Sequence, residues 1–196
     1  NGAAMKLAMI CVGSGDGTRF GGDKLEERMG QRTVFATALA ALTRAYPEAP
    51  VVVVVPKPRL EFWHGELSTE YPAARFAAGG SRRQDSVRVG VEEAAANGAD
   101  VVLVHDAARP LVHPDDIRGV VLALGDADGA ILSTPISDTV KRTARDGFVI
   151  GTVSRDDLRL AQTPQVFHVT SLVEAWRTAD PAHEWTDESA LLELAG

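Results

Sequence analysis

Two cations five residues apart follow the first apolar run of this 196-residue chain. They are Arg19 and Lys24, within Gly-Ser-Gly-Asp-Gly-Thr-Arg-Phe-Gly-Gly-Asp-Lys at 13–24, directly after Leu7–Val12. A turn needs one or two glycines. Five glycines with an arginine and a lysine suit a strand–loop–helix connection that presents backbone N–H groups to an anion, with Gly13, Gly15 and Gly17 letting the main chain come close. No Gly-Lys-Ser/Thr follows at P-loop spacing, and the glycines are out of register with a dinucleotide fingerprint. Phosphate binding, with Arg19 and Lys24 supplying charge, stands against a flexible turn with no function.

A second group, His-Asp-Ala-Ala-Arg-Pro at 105–110, comes straight after the apolar run Val101–Val104. The carboxyl ends of parallel strands are where ligands bind in open α/β sheets. Asp106 offers a carboxylate to a metal or a sugar hydroxyl, and Arg109 a fork for a phosphate; alternatively the two merely close a loop. The third group is Gly-Gly-Ser-Arg-Arg-Gln-Asp-Ser-Val at 79–87. It suits an anion or base contact, or a plain turn and helix cap with Asp85 or Ser86 as N-cap. The five histidines are scattered without metal-ligand spacing.

These groups need a frame. Strand-length runs rich in Val and Ile recur at Leu7–Val12, Val51–Val55, Val101–Val104 and Ala130–Leu132, with a weaker one at Arg75–Ala78. Their lack of alternation suits strands buried on both faces. Helical spacing fills Thr33–Ala45, Asp85–Ala96 and Pro114–Leu124 between them, the last opened by a His-Pro-Asp-Asp start. The expected fold is therefore α/β, a Rossmann-like, mainly parallel sheet with helices on both faces. Past residue 133 the alternation stops, and Arg145-Asp146-Gly147 reads as the turn of a projecting β-hairpin arm over 139–153. Thr170–Thr178 and Asp187–Leu194 read as helices. Residues 5–196 form one expected domain, and Asn1–Ala4 read as an expression scar.

Composition narrows the class. With 45% hydrophobic and 24% charged residues the chain is globular, and its net charge of −7 argues against nucleic acid as a partner. No run reaches the roughly 20 apolar residues of a membrane span, and the single cysteine, Cys11, fits a reducing, cytoplasmic setting.

Taken in order, the three groups resemble the 2-C-methyl-D-erythritol 4-phosphate cytidylyltransferase family of the non-mevalonate isoprenoid pathway. Asp138–Lys141, Thr152–Leu158, Gln162–Phe167 and Thr186–Glu193 carry the resemblance to the end of the chain. It implies transfer of CMP from CTP to methylerythritol phosphate with release of pyrophosphate, assisted by Mg²⁺. Arg19 and Lys24 are then the catalytic cations. Gly13, Ser14, Gly15, Gly17, Gly80, Arg83 and Ser86 bind the nucleotide, and Asp106, Arg109, Thr139 and Arg155 the substrate, with Asp106 also a metal ligand. It implies further a homodimer joined through the arm, which carries Arg155 to the partner's site.

The chain departs from the family in three places, the first being the loop opening, Gly13-Ser14-Gly15 where the family has Ala-Ala-Gly. Lys24 is followed by Leu-Glu-Glu-Arg, whereas the family has Pro-Lys-Gln and then an apolar stretch, so Glu26 and Glu27 stand near the expected triphosphate. The family also continues into a strand with a phosphate-binding lysine, which has no counterpart before Gly196. A catalytically impaired nucleotide-binding homologue, or a nucleotidyltransferase for another sugar or alditol phosphate, is the alternative reading.

Overall fold

The computed structural model describes residues 5–14 and 24–195. In chain order the elements are β1 (Leu7–Val12), β2 (Arg28–Met29), β3 (Arg32–Thr33), α1 (Val34–Ala45), β4 (Val51–Val55), α2 (Leu60–Leu67), β5 (Arg75–Ala78) and α3 (Arg83–Ala96). There follow β6 (Val101–Asp106), α4 (Pro114–Ala123), β7 (Gly129–Pro135), β8 (Val140–Thr143), β9 (Val149–Val153), β10 (Arg159–His168), α5 (Val169–Thr178) and α6 (Glu188–Ala195).

Six strands form the main sheet in the order β5-β4-β1-β6-β10-β7. The first four are parallel, with Met9 opposite Val51 and Leu103, whereas β10 runs antiparallel to both β6 and β7. The expectation of a mainly parallel α/β sheet is met, with an antiparallel pair added at one side.

Period-two side-chain alternation divides each central strand between two cores. Met9 and Cys11 of β1, with Val51, Val53 and Val55 of β4, meet α1, α2 and α4 on one face. Ala8, Ile10 and Val12, with Val52 and Val54, meet α3, α5 and α6 on the other. Burial on both faces explains the unbroken valine runs, each fully buried valine contributing about 1.5–3 kcal/mol.

Helix starts are set by local chemistry. Thr33 caps α1 by accepting from the Ala36 N–H at 3.1 Å. The expected cap of α3 needs correction: Arg82 is the N-cap, and Asp85 sits three residues into the capping box, accepting from the Arg82 N–H at 3.1 Å. Strands β8 and β9 make a separate two-stranded ribbon over the expected arm, with Gly147 at φ 87° in its turn. Phe148, Val149 and Ile150 stand 75%, 61% and 63% exposed on it, an apolar group without cover in the single chain.

Candidate active site

Strand β6 ends at Asp106, and the turn that follows is tied to the sheet from both sides. The Ala107 N–H donates to the Val12 carbonyl at 2.9 Å, and the Arg109 N–H to the Asp106 carbonyl at 3.0 Å. Beneath it lies His105, fully buried. Its Nε2 is 3.0 Å from the Arg109 carbonyl, which can only accept, so Nε2 carries the proton and Nδ1 accepts from the Thr163 hydroxyl at 3.1 Å. The Asp106 N–H donates to the same Thr163 oxygen at 3.1 Å. Burial pushes the His105 imidazole down to about 4, against the pull of its hydrogen bond to the Arg109 carbonyl.

Two guanidinium groups flank the Asp106 carboxylate. Arg83, in the first turn of α3, brings Nε to Oδ1 at 3.0 Å, and Arg109 brings its own Nε within 3.6 Å of Oδ2. Arg109 Nη1 also meets Gln162 Oε1 on β10. The other side of Arg83 is held by Glu188 at the start of α6, whose two oxygens take Nη1 at 2.9 and 3.1 Å. The sequence reading placed Glu188 within the segment resembling the family and gave it no role; its signal was an acid in the first turn of a helix rich in alanine and leucine. His105 and Gln162 were likewise missed.

Lys24 and Arg109 line one cleft of ≈ 540 Å³, between the start of α1, the turn after β6 and strands β7 and β10. Gln162 and Thr163 face it too. The segment following Lys24 is anchored at Leu25, which is 6% exposed in the core beside Phe35. Glu26 pairs with Arg59, whose guanidinium lies 4.2 Å over the Phe62 ring at the head of α2. The first of the two acids that departed from the expected pattern is thus neutralised by the residue that caps α2. A further depression of ≈ 390 Å³ lies at the amino-terminal ends of β1, β4 and β5, where Arg75 and Glu93 neutralise each other at 3.3 Å.

The glycines act partly through packing. A Cβ on Gly13 would fall 2.8 Å from Phe35 Cε1, and its N–H already donates to the Val54 carbonyl at 2.8 Å. Gly13 therefore has no amide left for an anion. Gly79 leaves room for Ser86, whose Oγ would lie 2.5 Å from an added Cβ. Ser86 is fully buried and hydrogen-bonds the Arg82 carbonyl at 3.2 Å, so its hydroxyl shapes the 79–82 turn and does not reach solvent. Ser14 is half-buried, and Gly80 is exposed beside the Asp85 side chain.

Thr139 and Arg155 flank the foot of the ribbon, where both are exposed and Arg155 Nη1 meets the Ser137 carbonyl. Neither lines the cleft. The expected roles of Gly15, Gly17 and Arg19 lie outside the described residues. Among the described residues no three His, Cys, Asp or Glu side chains gather as a metal site.

One anionic side chain between two arginines, with a lysine and a third set of polar groups facing a cleft, suits a highly charged ligand whose phosphates need positioning. The family model described as IspD, 2-C-methyl-D-erythritol 4-phosphate cytidylyltransferase, matches residues 7–196. The chain is 36% identical over 198 residues to a bifunctional enzyme IspD/IspF of Nitrobacter winogradskyi, covering 99% of this chain and 50% of that protein. It therefore spans about half the length of the bifunctional curated relatives it matches. It is also 36% identical to the 2-C-methyl-D-erythritol 4-phosphate cytidylyltransferase of Pelotomaculum thermopropionicum, over 97% of this chain and 82% of that one. The crystal structure of 4-diphosphocytidyl-2C-methyl-D-erythritol synthase from Anaerococcus prevotii superposes with a TM-score of 0.82 at 25% identity, covering 98% and 85% of the two chains.

Proposed function

The chain belongs to the 2-C-methyl-D-erythritol 4-phosphate cytidylyltransferase family, and we propose that it transfers CMP from CTP to methylerythritol phosphate. A phosphate oxygen of the acceptor attacks the α-phosphorus of CTP, the bond from that phosphorus to the bridging oxygen breaks, and pyrophosphate leaves. A phosphate monoester has its second pKa near 6 and is largely dianionic at neutral pH, so the nucleophile needs no general base. What the protein must supply is alignment and positive charge. Lys24 and Arg109 supply charge at the cleft, and Asp106 orients both flanking arginines; the family reading gives Arg19 a catalytic charge as well.

The observation that carries this reading is the meeting of Lys24 and Arg109 in one cleft, at the head of a strand ending in Asp106. Among the described residues no three potential ligands gather, which fits an ion carried in on the triphosphate better than one held in a protein cage. Mg²⁺ bound in that way, with Asp106 as its protein contact, would neutralise charge on the phosphate oxygens. Arg155 and Thr139 act on the acceptor phosphate of a partner subunit in a homodimer; support comes from their absence from the lining of their own chain's cleft and from the uncovered Phe148, Val149 and Ile150. A cytoplasmic setting is part of the reading, supported by the one buried thiol, Cys11. No described helix is long and apolar enough to cross a membrane.

The test is pyrophosphate release from CTP with methylerythritol phosphate, run beside other sugar and alditol phosphates as acceptors. Release with methylerythritol phosphate at least about tenfold above every other acceptor is expected. Release only with another acceptor would move the chain to a different substrate, and no release with any acceptor would reject catalysis.

A further inference from the structure

We propose that Glu188 is a positioning residue for nucleotidyl transfer, holding the Arg83 guanidinium at a fixed angle to Asp106; this rests on the cytidylyltransferase reading. Glu188 is wholly buried, and both its oxygens are on Arg83 Nη1. Arg83 Nε is on Asp106. A guanidinium is planar, so fixing Nη1 on one side and Nε on the other leaves it no rotation. The third nitrogen, Nη2, is buried and has no partner among the described residues. Its direction is set by the other two, so the guanidinium reaches the site through Asp106.

Glu188 is itself prevented from swinging. Gln84, buried beside Arg83, donates from Nε2 to the His183 carbonyl at 3.0 Å and accepts from the Trp185 N–H at 3.3 Å. Arg82 Nη2 reaches the Pro181 carbonyl at 3.2 Å. Asp187 accepts from Gln165 Nε2 of β10 at 2.9 Å and from the Ala190 N–H at 3.0 Å, capping the helix that Glu188 begins. Three consecutive residues of α3's start, 82 to 84, thus grip the connection into α6. The carboxylate they locate touches the site only through Arg83.

Stability alone does not explain this pair. Replacing a buried ion pair by well-packed apolar residues is often neutral or stabilising, whereas charge here lies one side chain from the cleft turn. Burial raises the Glu188 carboxyl and the Arg83 charge opposes that, so the carboxylate depends on the same arginine it orients.

Two substitutions separate geometry from charge. Glu188→Asp keeps the charge and shortens the reach by one methylene; Glu188→Gln keeps the shape and removes the charge. For Glu188→Asp, a melting temperature within a few degrees of the parent is expected, with kcat/KM for CTP lowered at least about tenfold because the guanidinium is displaced. Glu188→Gln, where it folds, should fall further. A folded variant of either kind with kcat/KM within about twofold of the parent would overturn the proposal. The Arg83 Nε–H resonance, assigned by its loss in Arg83→Lys, should shift in Glu188→Asp without any ligand present. An unchanged resonance would also overturn the link. A parent enzyme that releases no pyrophosphate would reject the proposed reaction, and the resonance would then still decide whether Glu188 sets Arg83.

Discussion

His105 donates from Nε2 to the Arg109 carbonyl at 3.0 Å and closes the Asp106–Arg109 turn from inside. The other ring nitrogen is occupied by Thr163, which also receives the Asp106 N–H. A protonated imidazole would have two donors, and its Nδ1 proton would compete with the Thr163 hydroxyl proton in the same short contact. The neutral ring is the one that fits.

The consequence is a pH dependence of stability. The native pKa of about 4 lies below the ordinary 6.5, so between these values the unfolded chain binds a proton that the native chain refuses. The stabilisation is complete above about pH 6.5 and is lost as pH falls from there to about 4, amounting to on the order of 3 kcal/mol. Urea unfolding at pH 7, 5.5 and 4.5 should show a steeper decline for the parent than for His105→Gln. Parallel declines would mean that the native imidazole protonates freely.

Arg109 is expected to be costly to lose. It meets Asp106 and Gln162 and lines the cleft, so Arg109→Ala should lower kcat/KM by on the order of 100-fold. Arg109→Lys keeps the charge without the fork and should recover only a part. Full recovery by lysine would reduce the role of Arg109 to a point charge.

How much of this could be read from the residues alone depends on how far each interaction reaches along the chain. Strands β1, β4 and β6 were legible because burial on both faces writes itself as consecutive valines. Asp106 and Arg109 were legible because they end such a run. Helix α2 was not: only Trp63 and Leu67 are buried in it, and Gly65 interrupts the pattern. Strand β10 was hidden for another reason. Its first residues, 159–161, are exposed, Pro164 lies inside it, and its pairing with β7 shifts register between Ala161 and Gln165. The Arg83–Glu188 pair joins residues 105 positions apart, and nothing local marks either as the other's partner.

The pair between Glu26 and Arg59 is open to a more modest test. Both side chains are over a third exposed, so the stability at stake is under about 1 kcal/mol. Its effect should fall on Lys24, two residues away. Glu26→Ala should lower kcat/KM by about threefold to tenfold with the urea midpoint almost unchanged. A rise in activity would instead show that the acid opposes the triphosphate.

Base selectivity follows from which donors the loops retain. The Gly13 N–H goes to Val54, the Gly79 N–H to Val55 and the Ser86 hydroxyl hydrogen-bonds Arg82, so these groups offer a base few donors. Acceptors suit the amino group of cytosine and not the carbonyl of uracil. CTP should exceed UTP in kcat/KM by about 100-fold or more. Comparable turnover of both nucleotides would remove these loops from base reading.

The ribbon of β8 and β9 yields the last prediction. An isolated two-stranded ribbon is barely stable in water, and this one carries Phe148, Val149 and Ile150 uncovered. A second copy of the chain is the simplest cover, since exchange of arms makes a self-complementary two-fold interface. Arg155, at the ribbon's foot and outside its own chain's cleft, would then serve the partner's acceptor phosphate. If so, Arg155→Ala and Arg109→Ala chains, each nearly inactive alone, should complement when mixed and allowed to exchange. Random exchange makes about half the dimers mixed, and one of the two sites in each has both arginines, giving about a quarter of the parent activity. Pyrophosphate release from the mixture, with dimer formation followed by sedimentation, measures this directly. Mixed dimers that form and remain inactive would assign Arg155 to its own chain's site or to none.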